Sequence, residues 1–182
     1  MFRKVIVVSA LILFTLSFVS AQDAKPQNAN KILKTAYQEA KTSDKNVFLI
    51  FHASWCSWCK RLEKAIQSDE LKKIFEDNFV ITHLDVLERG DKIAVLENPG
   101  GKEIMAKLGG EKSGLPFYVW LNAKGEKLAN SNVMSENMNI GYPGSAEEIA
   151  AFGKLLKSSA KHMDDKQLET ILDYLKKNAP KS

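Results

Sequence analysis

The chain has 182 residues, of which 26 are basic and 22 acidic, for a net charge of +4. That length suits one domain whose core is stable without staples. Setting aside Arg3 and Lys4 of the N-terminal segment leaves 24 basic against 22 acidic residues, a net of +2, too near neutral to point to nucleic acid or an anionic membrane surface.

The chain opens Met1-Phe2-Arg3-Lys4, runs apolar from Val5 to Val19 and reaches Val19-Ser20-Ala21 before turning polar at Gln22. A basic start, a short apolar stretch and a small-x-small site are the three parts of a secretory signal. Residues 1–21 are therefore expected to be a signal peptide, and the mature protein to be exported, periplasmic or secreted, and soluble. A membrane anchor would need about 20 apolar residues, and the run is shorter. No cysteine lies near the cleavage point to carry a lipid.

Residues 22–29 are polar, contain Pro26 and read as a disordered leader. Asn30 is placed to cap a helix through about Ser43, with Ile32, Leu33, Ala36, Tyr37 and Ala40 at helical spacing. Val47 to His52 is apolar on both faces, as a central buried strand should be. Cys56 to Gln67 reads as a helix with Cys59, Leu62, Ala65 and Ile66 inward, and Ser68 or Asp69 starts another with Leu71, Ile74 and Phe75 inward. Phe79 to Asp85 is the next strand.

Residues 86–100 read as a loop, followed by a short helix that Gly109-Gly110 stops. Phe117 to Leu121 is a strong strand, Asn122-Ala123-Lys124-Gly125 a turn and Glu126 to Val133 a weaker partner strand. Met134 to Gly144 is polar and irregular. Ser145 and Glu148 form a capping box for a helix through about Ser158, and an amphipathic helix runs from Asp164 to Lys177. The β-α-β opening, hairpin and helix imply a mixed α/β sheet covered on both faces, with a domain over residues 30–160 and a helical extension over 161–182.

The only two cysteines stand in Trp55-Cys56-Ser57-Trp58-Cys59-Lys60, directly after the central strand. A helix start lowers the pKa of the first thiol and exposes it, and the second lies within reach to close a disulfide. Such a bond encloses too short a loop to constrain the unfolded chain much, so the pair suits chemistry better than stapling. Metal binding is the competing reading. Zinc needs four ligands and no second C-x-x-C or H-x-x-x-H exists, whereas copper needs fewer soft ligands, with His52, Met134 or Met138 as candidates. A partner-binding module using Met134 to Gly144 and the last helix is the other alternative.

A strand into Trp-Cys-x-x-Cys-Lys, a later Gly114-Leu115-Pro116-Phe117 before a strand, and the Asn-Ala-Lys-Gly-Glu turn together resemble the thioredoxin family. The run Cys59-Lys60-Arg61-Leu62-Glu63-Lys64 is most similar to its exported, DsbD-like branch. The resemblance implies a thioredoxin fold with an added C-terminal helix, and a thiol:disulfide oxidoreductase without a bound cofactor. Cys56 would attack and Cys59 resolve. Pro116 would be the cis-proline facing the disulfide, with Leu115 offering backbone groups to substrate. Trp55 would shelter the helix start, and Trp58 would shape the first thiol's surroundings. The partners implied are protein or small-molecule disulfides and a thiol-disulfide electron donor, which in the DsbD-like branch is membrane-embedded.

Two positions depart from the family pattern. Ile50 stands where thioredoxins keep a buried aspartate, and Lys64 where they keep a helix-kinking proline. Glu63, four residues after Cys59 and so on the same helical face, is the candidate to take the Cys59 proton instead. The bland alternative pairs it with Lys60 or Gln67 at the surface. His52 is placed to tune the thiolate or simply to pack; His83 and His162 carry no motif.

Overall fold

The computed structural model describes residues 25–180. The expected signal peptide lies outside the described residues. Four strands form one mixed sheet in the order β2-β1-β3-β4: β1 (Asn46–His52), β2 (Phe79–Asp85), β3 (Phe117–Leu121) and β4 (Lys127–Asn130). β1 runs parallel to β2 and antiparallel to β3, and β3 runs antiparallel to β4. β1 is central, which is why it is apolar on both faces. Val47, Leu49 and Phe51 enter one core with α1 (Ala29–Thr42), while Phe48 and Ile50 enter the other.

The first helix starts earlier than its sequence suggests. Asn28, not Asn30, is the cap, and its side chain accepts the Asn30 N–H. Ala29 is fully buried and donates its N–H to the Pro99 carbonyl at 2.9 Å. Gln27 accepts from the Asn98 side chain. Those contacts tie down the end of what reads as a leader.

α2 (Ser57–Ile66) and α3 (Lys72–Asn78) connect β1 to β2. The expected inward set of α2, namely Cys59, Leu62, Ala65 and Ile66, is the buried set. The segment expected as loop before residue 100 contains a short exposed helix, α4 (Lys92–Leu96). α5 (Gly101–Met105) runs on as a wider turn to Gly110, where Gly109 has a φ of 98°. Gly110 lies so close to Phe117 that a Cβ would stand 2.6 Å from its ring. The double glycine thus ends the helix and seats β3. β4 is shorter than expected, and just past its end the Ser131 hydroxyl accepts the Tyr118 N–H.

α6 (Ala146–Ser159) has the expected capping box of Ser145 and Glu148, and α7 (Asp165–Lys177) has one from Asp164 and Gln167. The two helices meet at Gly153, where a Cβ would lie 2.9 Å from Leu172. Ile171 and Leu175 of α7 join the core that holds Leu62 and Ile66 of α2. The C-terminal helix therefore supports the helix that carries the cysteines. Among the described residues no helix is long and apolar enough to cross a membrane.

Candidate active site

β1 delivers the chain to Ala53, and the Ala53 carbonyl accepts the Cys56 N–H at 3.0 Å. Cys56 is the N-cap of α2, in an extended conformation, and its sulfur accepts the Cys59 N–H at 3.1 Å. One helical turn brings Cys59 back to it, and the two form a disulfide with 5.3 Å between their Cα atoms. Both cysteines are buried in a small cluster with Ala53, against Leu115. At the helix start the free N–H groups and the dipole favour a thiolate on Cys56 once the bond is reduced.

The loop before Cys56 is held from the segment after β2. Glu88 is buried, and its carboxylate accepts the Ser54 N–H at 2.5 Å and the Ser54 hydroxyl at 2.8 Å. Trp55 donates its indole N–H to the Leu87 carbonyl at 2.8 Å, and the Arg89 guanidinium lies 3.8 Å over the Trp55 ring. Trp55 and Trp58 are both largely exposed beside the disulfide. Trp58 stacks on Tyr142 with ring centroids 6.1 Å apart, and Arg61 covers Tyr142 at 5.0 Å.

Opposite lies the Leu115–Pro116 bond, which is cis as the family resemblance implies. Pro116 is buried and Leu115 half-buried. Asn139 clamps this loop by donating its amide to the carbonyls of Gly114 and Pro116, at 2.8 and 2.9 Å. Sequence patterns single out neither Glu88 nor Asn139. The carboxylate reaches across 34 residues and the amide across 23 and 25, and no local spacing announces either.

Glu63 does lie on the face of α2 that Cys59 shares; of the two surface partners expected, Lys60 is not bonded to it and Gln67 adds only a minor side-chain hydrogen bond. Glu63 Oε2 is 2.8 Å from His83 Nε2. His83 is the register neighbour of Ile50 across the β1–β2 pair. α2 thus brings a carboxylate to the strand residue that neighbours Ile50. The hydrogen bond with His83 holds the Glu63 carboxyl below its ordinary value, against a smaller upward push from burial. His52 sits 3.4 Å from Asp85 and 5.1 Å, ring to ring, from His83. Burial lowers the His52 pKa, and Asp85 opposes that in part. His162 pairs with Asp44 instead. Among the described residues no group of three or more His, Cys, Asp or Glu side chains is arranged to hold a metal ion.

The sequence matches the family described as Thioredoxin-like over residues 28–123, more than half of the chain. The chain belongs to the thioredoxin-like family. Its mixed sheet with flanking helices is the thioredoxin fold, with α7 added. It is similar to the thiol:disulfide interchange protein DsbD of Vibrio cholerae, 31% identical over 101 residues, covering 56% of this chain and 15% of that protein. An uncharacterized protein of Caenorhabditis elegans is 40% identical over 57 residues, 31% of this chain and 8% of that one. The chain therefore spans a small part of these relatives' length.

Among solved structures, a disulphide isomerase from Xylella fastidiosa aligns with a TM-score of 0.48 and 19% identity, over 91% of this chain and 98% of that one. The oxidised C-terminal domain of Neisseria meningitidis DsbD aligns with a TM-score of 0.43 and 20% identity, over 58% and 84%. Family membership and the Cys56–Cys59 disulfide thus place a closed cysteine pair at the start of α2 on a thioredoxin-like fold.

Proposed function

We propose that the chain is an exported oxidoreductase that reduces or interchanges disulfides through reversible opening of the Cys56–Cys59 bond. The observation that carries the reading is the position of Cys56, capping α2 with its partner one turn along. In the reduced form the Cys56 thiolate attacks one sulfur of a substrate disulfide. A mixed disulfide forms and one substrate thiolate leaves. Cys59 then gives up its proton and attacks Cys56, which releases the second substrate thiolate. Two electrons pass from the cysteine pair to the substrate, two protons follow, and a donor dithiol restores the pair.

Glu63 is our candidate for the Cys59 proton, and its hydrogen bond to His83 offers the proton a second stop. Trp55, Trp58, Leu115 and Pro116 are the substrate-facing set, because the two tryptophans are exposed beside the buried disulfide, Leu115 packs against it and the cis bond joins Leu115 to Pro116. The signal-like residues 1–21 and the similarity to DsbD support work outside the cytosol with a thiol-disulfide electron donor.

Cys56→Ser should abolish reduction of a peptide disulfide, whereas Cys59→Ser should accumulate a mixed disulfide visible by mass spectrometry. Turnover retained by Cys56→Ser would end the reading. Glu63→Gln should slow resolution of the mixed disulfide, and an unchanged rate across pH would remove Glu63 from the mechanism.

A further inference from the structure

Beyond its capped start, α2 presents one continuous face. Ser57, Lys60, Arg61, Lys64 and Ala65 recur at three- and four-residue spacing and line one side of an open groove of about 520 Å³. Tyr142, Tyr174 and Asn178 line the other side. Arg61 is fixed in place, with Nη2 donating to the Asn178 carbonyl at 2.7 Å and its guanidinium over Tyr142. Lys60 and Lys64 are exposed. Among the described residues neither is ion-paired.

The nearby carboxylates are already engaged. Glu63 is bonded to His83, and Asp173 to Lys176. Glu148, in the adjoining groove beside Trp58 and Leu115, accepts the N–H groups of Gly144 and Ser145. Three cations therefore face an open groove that begins at Ser57, the residue next to Cys56, and among the described residues no carboxylate is paired with them.

The dimensions select the kind of ligand. At a rise of about 1.5 Å per residue, Lys60 stands about 6 Å and Lys64 about 12 Å along the helix from Cys56. An extended chain advances about 3.3–3.6 Å per residue. A polypeptide joined to Cys56 through its own cysteine would bring side chains roughly two and four residues away to these lysines. A small-molecule disulfide would reach the first lysine only. We propose that this groove recognises an acidic polypeptide segment flanking the substrate's disulfide. The inference rests on the oxidoreductase reading above and names the substrate class of the same centre.

The test uses the full mature chain and three peptide disulfides. They are identical except that the residues two and four away from each cysteine are glutamate, serine or lysine. At low salt kcat/KM should favour the glutamate peptide over the lysine peptide by about tenfold, the scale of a few rim charges acting together. The preference should fade as salt rises toward molar. Because Lys60 is close enough to Cys56 to affect every substrate alike, the ratio between peptides is the readout, not the rate. Lys60→Glu with Lys64→Glu should reverse the ratio, and Lys64→Gln alone, two turns from the disulfide, should reduce it by about half on a logarithmic scale if two lysines share the effect equally.

With bis(2-hydroxyethyl) disulfide, which is small and uncharged, as the probe, Lys64→Gln should leave kcat/KM unchanged. A change there as large as with the glutamate peptide would overturn the polypeptide assignment. Equal kcat/KM for the acidic and basic peptides in the unaltered chain would overturn the groove while leaving the oxidoreductase reading intact. No turnover of any disulfide would overturn that reading and the groove with it.

Discussion

Two unlike walls flank the disulfide. The wall on the β2 side is bonded through, with Glu88 and Asn98 buried in it: Glu88 grips Ser54, Leu87 accepts from Trp55, and Asn98 accepts the Asp85 N–H at 2.7 Å while donating to Gln27. Leu87 adopts a left-handed conformation with a φ of 56°, which an ordinary side chain takes only where its surroundings insist. The wall on the α7 side is open, and there only Arg61 is tied down while Lys60, Lys64 and Trp58 face solvent. Position is set from one side, and the other is left available for a partner. A buried hydrogen bond to a carboxylate is costly to lose, whereas an exposed lysine contributes little to folding.

Substitutions on the two walls should therefore separate stability from specificity. The largest effect is expected for Glu88→Ala, which leaves the Ser54 N–H without its partner and should cost about 2–3 kcal/mol in urea unfolding. A loss below about 0.5 kcal/mol would show that the β2 wall is not the locked one. Asn98→Ala should cost about 2 kcal/mol, since it releases both the Asp85 N–H and the Gln27 carbonyl. Trp58→Ala should cost about 1 kcal/mol for the lost stacking on Tyr142. Lys64→Ala should stay within about 0.5 kcal/mol and register only in the peptide ratio.

The histidines beneath the β2 wall add a pH dependence. Because burial lowers the His52 pKa from 6.5, the unfolded chain takes up a proton there before the folded one does. Stability should then fall as pH drops below that ordinary value. Glu63 extends the fall to lower pH. Its lowered pKa stabilises the fold above the ordinary carboxylate value and ceases to do so as pH falls through the folded one. Asp85, raised chiefly by burial, works in the opposite direction. Urea midpoints measured between about pH 7 and 5 should flatten in His52→Phe, and an unchanged slope would remove His52 as the cause. Glu63→Gln should leave that window unchanged and flatten only the continuation of the fall below pH 4.5.

How much of this was legible differs residue by residue. The cis Leu115–Pro116 bond is expected only from the family resemblance, whereas Cys56 and Cys59 are read from a short motif, because a helix start has local spacing. The Ser145–Glu148 cap is legible for the same reason. The Asn28 cap is not, since Asn30 has an equal claim until Ala29 is seen to bind Pro99. Glu63 could be placed on the right helical face, yet its partner His83 comes from the neighbouring strand, 20 residues on.

The amino-acid sequence by itself determined where the redox pair stands, which faces of β1 and α2 are buried, and which family the chain resembles. Those properties rest on periodicity and on motifs a few residues long. Only the tertiary structure decided what surrounds the pair. Glu88 on Ser54, Asn139 on the proline loop and Tyr142 against Trp58 all join segments that chain order keeps apart, and they meet because strand register and helix packing leave each one a single place to sit.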